Sequence, residues 1–441
     1  MSLLHRYRTI FALGLPIIGG MLSQSVLNLI DAALVGQLGE SSLAGVGVGS
    51  YANFVAISLI LGLSSAVQTL VARRQGEGLG SDSLQPVFLG IIIAFVFALP
   101  ISCVFIHFSE VIVTTMTSND SVQNIAVGYF DYRTAAMLAI ALNLSFRGWW
   151  NGTQRPATYF KVLLFTHLLN IAVSYCLIFG HLGLPRLGAP GAGLGTAIAL
   201  FAGAILNGWL VYKDARGKDL HLWRLKHLPL NALLRLAVPN SLQQVLFSLA
   251  ICVLMWIISQ IGTADQAVAH VLINLSLFLI LPAVGFGVAS TTLVSHALGE
   301  RKPEVASQYG WDVIAVAMLS ISILSIPLLI TPDFILSIFL QSEQVIASAT
   351  LPLQLTAIAI ILDAAAIVLA QSLLGVGDSR NVLIITGTSQ WLFYLPLAWF
   401  IGPYLGFGIL GIWIVQLIHR TLSSIVFITI WKQRSWLRLE I

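Results

Sequence analysis

The sequence predicts an all-α polytopic membrane protein with twelve transmembrane helices in two six-helix lobes. Three observations predict it. The 441 residues are 57% apolar and only 9% charged, where soluble globular chains carry about 25% charged residues. Apolar runs of twenty or more residues recur from Ile10 to Ile430, each long enough to span a bilayer. The chain also repeats itself at an offset of 223 residues, which divides those runs six and six. Together these exclude a soluble enzyme, a nucleic-acid binder and a secreted disulfide scaffold. The net charge of +4 needs no nucleic-acid partner.

The expected spans run over 10–38, 44–71, 85–107, 122–146, 157–180, 190–212, 232–260, 266–295, 308–331, 346–373, 382–401 and 405–430. In lipid every backbone polar group must pair internally, so these are helices. A barrel would show alternating ten-residue strands, which are absent. The first run follows Arg6 and Arg8, is too long for a signal-peptide core and lacks a small-residue cleavage site after it, so it is expected to be retained. Cys103, Cys176 and Cys252 all lie inside apolar runs, with neither disulfide nor metal spacing.

Basic residues orient the spans. Nineteen of them fall on one side of a twelve-span arrangement: Arg6, Arg8, Arg73, Arg74, Arg147, Arg155, Lys161, the run from Lys213 through Arg235, Arg301, Lys302, Arg380, Lys432, Arg434 and Arg438. The other side holds Arg186 alone. The positive-inside rule then puts both termini in the cytoplasm.

The repeat needs no gap from Leu13 to Glu77. Pro16, Gln37, Gly39, Gly62 and Thr69 match Pro239, Gln260, Gly262, Gly285 and Thr292. Further on, Gly148 and Arg155 resemble Gly375 and Arg380 if a two-residue indel separates them. Six spans is an even number, so both halves insert with the same orientation and are related by a pseudo-two-fold axis along the membrane normal. The expected lobes are 1–212 and 232–441, joined by a basic cytoplasmic linker, 213–231. Two facing lobes would leave the cleft of an alternating-access carrier.

Ionisable residues inside a span are costly and suggest function. Asp31 in span 1 leads the candidates. Gln24 and Asn28 precede it by seven and three positions, so all three share one helix face. Desolvation favours the neutral form of a carboxyl, so a group so placed can take up and release a proton. Asn170 and Ser174 share a face of span 5, and Thr196 begins span 6. They are expected at the depth of Asp31, either as a polar pocket or as ordinary interhelical hydrogen bonds. Asp131 and Arg133 in span 4 are two positions apart and cannot face each other, so each needs a partner elsewhere, as structural pairing near the outer interface, or a water-filled cavity, which makes them further second-site candidates. Asp363 in span 10 and Arg420 in span 12 lie at similar depth. Either they pair, which makes Asp363 a poor proton carrier, or Asp363 is a second cation or proton site. His167, His270 and His419 read as packing residues. The glycines Gly45, Gly47 and Gly49 read as a close helix contact, since no strand precedes them. No GxxxxGK[ST], HExxH or GxSxG motif occurs, so no enzymatic chemistry is expected.

These residues resemble the multidrug and toxic compound extrusion (MATE) family over nearly the whole chain. The resemblance rests on Pro16 with Asp31 fifteen residues on, on VGQLG (35–39), FRGWWNGTQRP (146–156) and LLGVGDSR (373–380), and on Gly406, Gly408 and Gly411 before Trp413. YFDYR (129–133) looks closer to the bacterial DinF-like branch. The resemblance implies a monomeric efflux carrier of the bacterial cytoplasmic (inner) membrane that exchanges small amphipathic or cationic drugs for H⁺ or Na⁺. No cofactor is implied beyond that coupling ion, and no metal. It makes Asp31 the coupling residue, with Gln24, Asn170 and Thr196 in the same pocket. The family's NxxxD pattern in span 5 reads NIAVS here, so Ser174 replaces a second acid. Asp363 resembles an aspartate of the NorM-like branch, but Phe247 and Ser248 stand where a glutamate would accompany it. Pro16 lacks an N–H and can support a bend in span 1 coupled to Asp31 protonation. The alternative is a lipid-linked precursor flippase of the same superfamily, which would be expected to show a strongly cationic cavity.

Overall fold

The structure is a computed structural model that describes residues 3–216, 229–340 and 342–438. The linker residues 217–228, with Lys218, Arg224 and Lys226, lie outside the described residues. Among the described residues there is no strand. Eleven helices are long and apolar enough to cross a membrane, and a twelfth crossing is a bent pair. In chain order they are α1 (Leu3–Gly36), α2 (Glu40–Gly76), α3 (Gln85–His107), α4 (Asp120–Ala135 with Met137–Gly152), α5 (Pro156–Phe179) and α6 (Ala189–Arg216). The second half follows as α7 (Leu230–Ser259), α8 (Ala264–Gly299), α9 (Pro303–Ile330), α10 (Glu343–Val376), α11 (Ser379–Tyr404) and α12 (Gly408–Gln433). Each expected span is met by one of them.

The fourth span departs most from expectation. It is not one helix over 122–146 but two segments bent by 44° about Ala136. Ala136 sits at φ −78°, ψ 0°, outside the helical basin. The bend exposes carbonyls that lipid cannot satisfy. The Ser102 hydroxyl of α3 repairs one of them, donating to the Thr134 carbonyl at 2.7 Å.

Prolines explain the other irregular turns. A proline ring clashes with the carbonyl four residues back and removes a backbone donor. Widening to a π turn relieves the clash. Such turns cover Ala94–Ala98 just before Pro100, and Ser389–Tyr394 just before Pro396.

The 223-residue repeat is written into the backbone. After α2, Gly78 turns at φ 76° while the Leu79 N–H donates to the Arg74 carbonyl at 2.9 Å. After α8, Arg301 turns at φ 57° and the Lys302 N–H donates to the Ala297 carbonyl, also at 2.9 Å. The same relation joins the ends of α4 and α10. Gln154 (φ 59°) corresponds to Gly377 (φ 104°), and the bond from Arg155 N–H to Trp150 O corresponds to that from Asp378 N–H to Leu373 O. The partner of Gly375 is therefore Gly152, not Gly148, and no indel is needed. A Cβ on Gly152 would meet the Gln68 carbonyl at 2.9 Å, and one on Gly375 the Thr291 carbonyl at 2.6 Å. Residues 68 and 291 are again 223 apart.

The chain packs as two compact units, Gly19–Gln244 and Met1–Ile18 with Val245–Ile441. These bounds cut within α1 and α7, whereas the lobes read from the repeat meet at the 213–231 linker. In the Gly19–Gln244 unit, Leu233, Leu236 and Ala237 from the start of α7 join the core of α2–α6. The Gly62 N–H donates to Ser241 Oγ there at 3.0 Å. In the other unit, Ile10 and Leu13 from the start of α1 join the core of α8–α12. Gly285 packs there on Ile18, the repeat image of Gly62 on Ser241. Small residues bring backbones close where no hydrophobic force acts between helices. Accordingly, Gly45 and Gly49 of α2 pack on Ile125 and Tyr129 of α4, as expected of that glycine run, although Gly47 touches nothing.

Candidate functional site

In the Gly19–Gln244 unit the site is built on the second half of α1. Residues 24, 28 and 31 fall on one stripe because they are four and three apart. Gln24 Nε2 donates to Asn28 Oδ1 at 3.0 Å along that stripe. Gln24 and Asn28 are exposed. Asp31, one turn further, is half-buried, and its Oδ1 is buried with no hydrogen-bond partner.

Arg133 belongs to this site. Its guanidinium lies close enough to act electrostatically on Asp31. The Arg133 Cζ stands 6.0 Å from the Tyr129 ring centroid, and its Nε is buried without a hydrogen-bond partner. The α4 bend follows three residues later, so the guanidinium is carried on the last turn before it. Asp131 lies instead near Ser109 and Glu110, and its Oδ1 is buried without a hydrogen-bond partner. Asp131 and Arg133 thus do not face each other.

Asn170, Ser174 and Thr196 are brought together. Asn170 Nδ2 donates to Thr196 Oγ1 at 2.8 Å, and Ser174 Oγ donates to Asn170 Oδ1 at 3.4 Å. All three are buried between α5 and α6. Gly195 makes the room: a Cβ there would fall within 2.8 Å of the Ser174 backbone nitrogen. A further residue joins α5 to the stripe. His167 Nε2 lies 3.2 Å from Gln24 Oε1. Sequence reasoning treated His167 as packing. The signal it passed over was its position three residues before Asn170, on the same face of α5.

In the unit of α8–α12, Arg420 Nη1 donates to Asp363 Oδ2 at 2.5 Å, with the two side chains 16% and 14% exposed. The pair adjoins the α11 π turn. His419 stacks on Tyr394 at 5.1 Å between centroids and reaches Ser389 Oγ at 3.3 Å. No cluster of three or more His, Cys, Asp or Glu able to hold a metal occurs among the described residues. Pro16 lies within α1, which stays helical from Leu3 to Gly36.

Two lobes' worth of repeated membrane helices, with an unpartnered carboxylate oxygen inside one of them, define a polytopic carrier rather than a catalyst. The chain belongs to the MatE family, whose model matches residues 16–176 and 239–400. The two matched segments start 223 residues apart, at Pro16 and Pro239, so the family model and the repeat coincide. The relatives that the chain resembles are multidrug resistance proteins, not enzymes. The chain is 27% identical to the probable multidrug resistance protein NorM of Pasteurella multocida, over 95% of this chain and 92% of that one. It is 25% identical to the multidrug resistance protein MdtK of Yersinia pseudotuberculosis, over 96% and 94%. Its fold matches an outward-facing multidrug resistance MATE family transporter of the MOP superfamily at a TM-score of 0.89, with 21% identity over 97% and 96% of the chains. It also matches a MOP superfamily transporter from Pyrococcus furiosus at 0.86, with 20% identity over 98% and 97%.

Proposed function

We propose that the protein is a proton-coupled multidrug efflux antiporter with Asp31 as its coupling residue. The observation that carries this is the Asp31 Oδ1, buried without a hydrogen-bond partner. An unpartnered carboxylate oxygen in low dielectric is costly. A proton removes the charge without needing further ligands. Na⁺ would need a cage of oxygens with net negative charge, and Arg133 opposes one. The pairing of Asp363 with Arg420 leaves the other unit without a free acid at that position, which also favours H⁺.

The exposed amides of Gln24 and Asn28 supply polar contacts for small amphipathic or cationic drugs. The names of the relatives support drugs as cargo. In this reading the protein works as a monomer in the bacterial inner membrane, with both termini cytoplasmic. Protonation of Asp31 from outside rearranges the pocket and expels the drug. Deprotonation inside lets the next drug bind. A bend of α1 at Pro16, which leaves the Ala12 carbonyl without its helical donor, accompanies the step. Cryo-EM structures at low and high pH test the bend, and an α1 of one shape at both would remove it.

The test is export of an ethidium-type dye from proteoliposomes under separate H⁺ and Na⁺ gradients. Drive by ΔpH, lost in Asp31→Asn, is the expected result. Drive by Na⁺ alone, or an active Asp31→Asn, overturns it. The flippase alternative gains nothing from Arg420, whose charge is taken up by Asp363.

A further inference from the structure

We infer that His167 is a second proton-binding residue of the Gly19–Gln244 unit, taking a proton at Nδ1 and passing its effect to α1 through Gln24. The inference rests on the proposed H⁺ coupling. Its geometry starts from the amide chain. Gln24 Nε2 donates to Asn28 Oδ1 at 3.0 Å. The Gln24 oxygen therefore faces away from Asn28 and meets His167 Nε2 at 3.2 Å. An amide oxygen only accepts, so the proton of a neutral His167 sits on Nε2. Nδ1 is then a base with a free lone pair. It is buried without a hydrogen-bond partner, in a side chain only 6% exposed.

A buried unpaired polar atom in a native structure needs a reason. A packing histidine would satisfy both nitrogens or turn one to solvent. Here one nitrogen is fixed by a partner 143 residues away, and the other is left open. The charged residues of the surrounding helices are Arg6, Arg8 and Asp31 on α1, Asp120, Asp131, Arg133 and Arg147 on α4, Lys161 on α5 and Lys213, Asp214 and Arg216 on α6. Among the described residues none of them forms an ion pair with the ring, whose hydrogen-bond partner is Gln24. The hydrogen-bonded file His167, Gln24, Asn28 runs toward Asp31 and ends three residues before it.

The step is a simple protonation. A proton from water forms an N–H bond at Nδ1, and the imidazole becomes a cation. The Nε2–H bond to Gln24 then becomes charge-assisted, and such bonds are shorter and about twice as strong. The strengthened bond polarises the next one along the file. The Gln24 and Asn28 amides thus respond to the protonation of His167 on the stripe that holds Asp31.

Two measurements test it. Imidazole ¹⁵N NMR of the full chain in nanodiscs should show His167 as the Nε2–H tautomer at high pH, gaining a proton at Nδ1 as the pH falls toward about 5. His167→Gln assigns the resonance and keeps an amide donor for Gln24 while removing the base. In proteoliposomes that variant should still export dye under ΔpH, but its pH profile should lose one of two titrating steps. A second variant, Gln24→Leu, removes the acceptor and should release the Nε2–H preference in the ¹⁵N spectrum. Its site is exposed, so it serves if His167→Gln does not fold. An Nδ1–H tautomer, no such protonation, or a His167→Gln profile that superimposes on wild type would overturn the inference. Absence of ΔpH-driven export by the wild-type protein would instead sink the coupling reading, and the tautomer and titration of His167 would then decide the inference alone.

Discussion

Arg420 on α12 holds Asp363 on α10 through an Nη1 to Oδ2 contact of 2.5 Å, with both side chains largely buried. Removing one partner of such a pair leaves an uncompensated charge and costs about 3–5 kcal/mol, whereas replacing both with neutral groups is close to neutral. Asp363→Asn and Arg420→Gln should therefore each lower the melting temperature in detergent. The double variant should recover most of the loss and still export dye under ΔpH. A double variant as unstable as the worse single one would mean that the two residues do not act as a pair.

Arg133 gives a second prediction. If its charge keeps metal cations from Asp31, Arg133→Gln should let Na⁺ compete with H⁺. Arg133 acts on Asp31 without a salt bridge, so its charge is worth less than the roughly 4 kcal/mol of two charges about 4 Å apart at an effective dielectric of 20, and inhibition of ΔpH-driven export should appear at Na⁺ concentrations about tenfold lower. Arg133→Lys keeps the charge and should behave as wild type. Equal Na⁺ sensitivity in all three proteins would separate Arg133 from the coupling site.

The fold was legible because lipid imposes its own pattern: span count, repeat and polar stripe all follow from where polar groups are tolerated. The bend in α4 was not legible. No proline or glycine marks Ala136, and the repair comes from Ser102, a contact between helices that a linear reading cannot see. The Gly152 to Gly375 match was hidden because Gln154 and Gly377 share a left-handed backbone without sharing a residue type. Gln24, Asn28 and Asp31 were legible from spacing alone. Arg133 was not assigned to Asp31, because its partner lies on another helix. His167 was passed over because its role depends on which way the Gln24 amide is turned, which spacing does not encode.

Glycine positions offer a stability test with an internal control. A Cβ at Gly375 would stand 2.6 Å from the Thr291 carbonyl, a backbone atom that cannot swing aside. Gly375→Ala and its repeat image Gly152→Ala should each cost about 1–3 kcal/mol through overpacking. Gly47→Ala meets nothing within 4 Å in the helical part of α2, so it should be neutral or stabilise by about 0.5–1 kcal/mol through helix propensity. Thermal unfolding in one detergent would compare the three, and a Gly47→Ala loss equal to the others would refute the packing account.

The amides on α5 and α1 should separate scaffold from pocket. Asn170 is 2% exposed, and its carboxamide is engaged at both ends by Thr196 and Ser174. Thr196→Val is nearly isosteric but removes the acceptor for Asn170 Nδ2. An unsatisfied buried donor costs about 1–3 kcal/mol, so the melting temperature should fall while the dye affinity of the surviving folded protein changes little. Gln24→Ala makes the opposite case. Gln24 is exposed and bonds only one turn along its own helix and to His167. Stability should barely move, and dye affinity should weaken several-fold if this face meets the drug. Dye binding measured by fluorescence anisotropy beside the melting curves reads both effects. A Thr196→Val protein that melts as wild type but binds dye weakly would move the pocket from the α1 stripe to the α5–α6 contact.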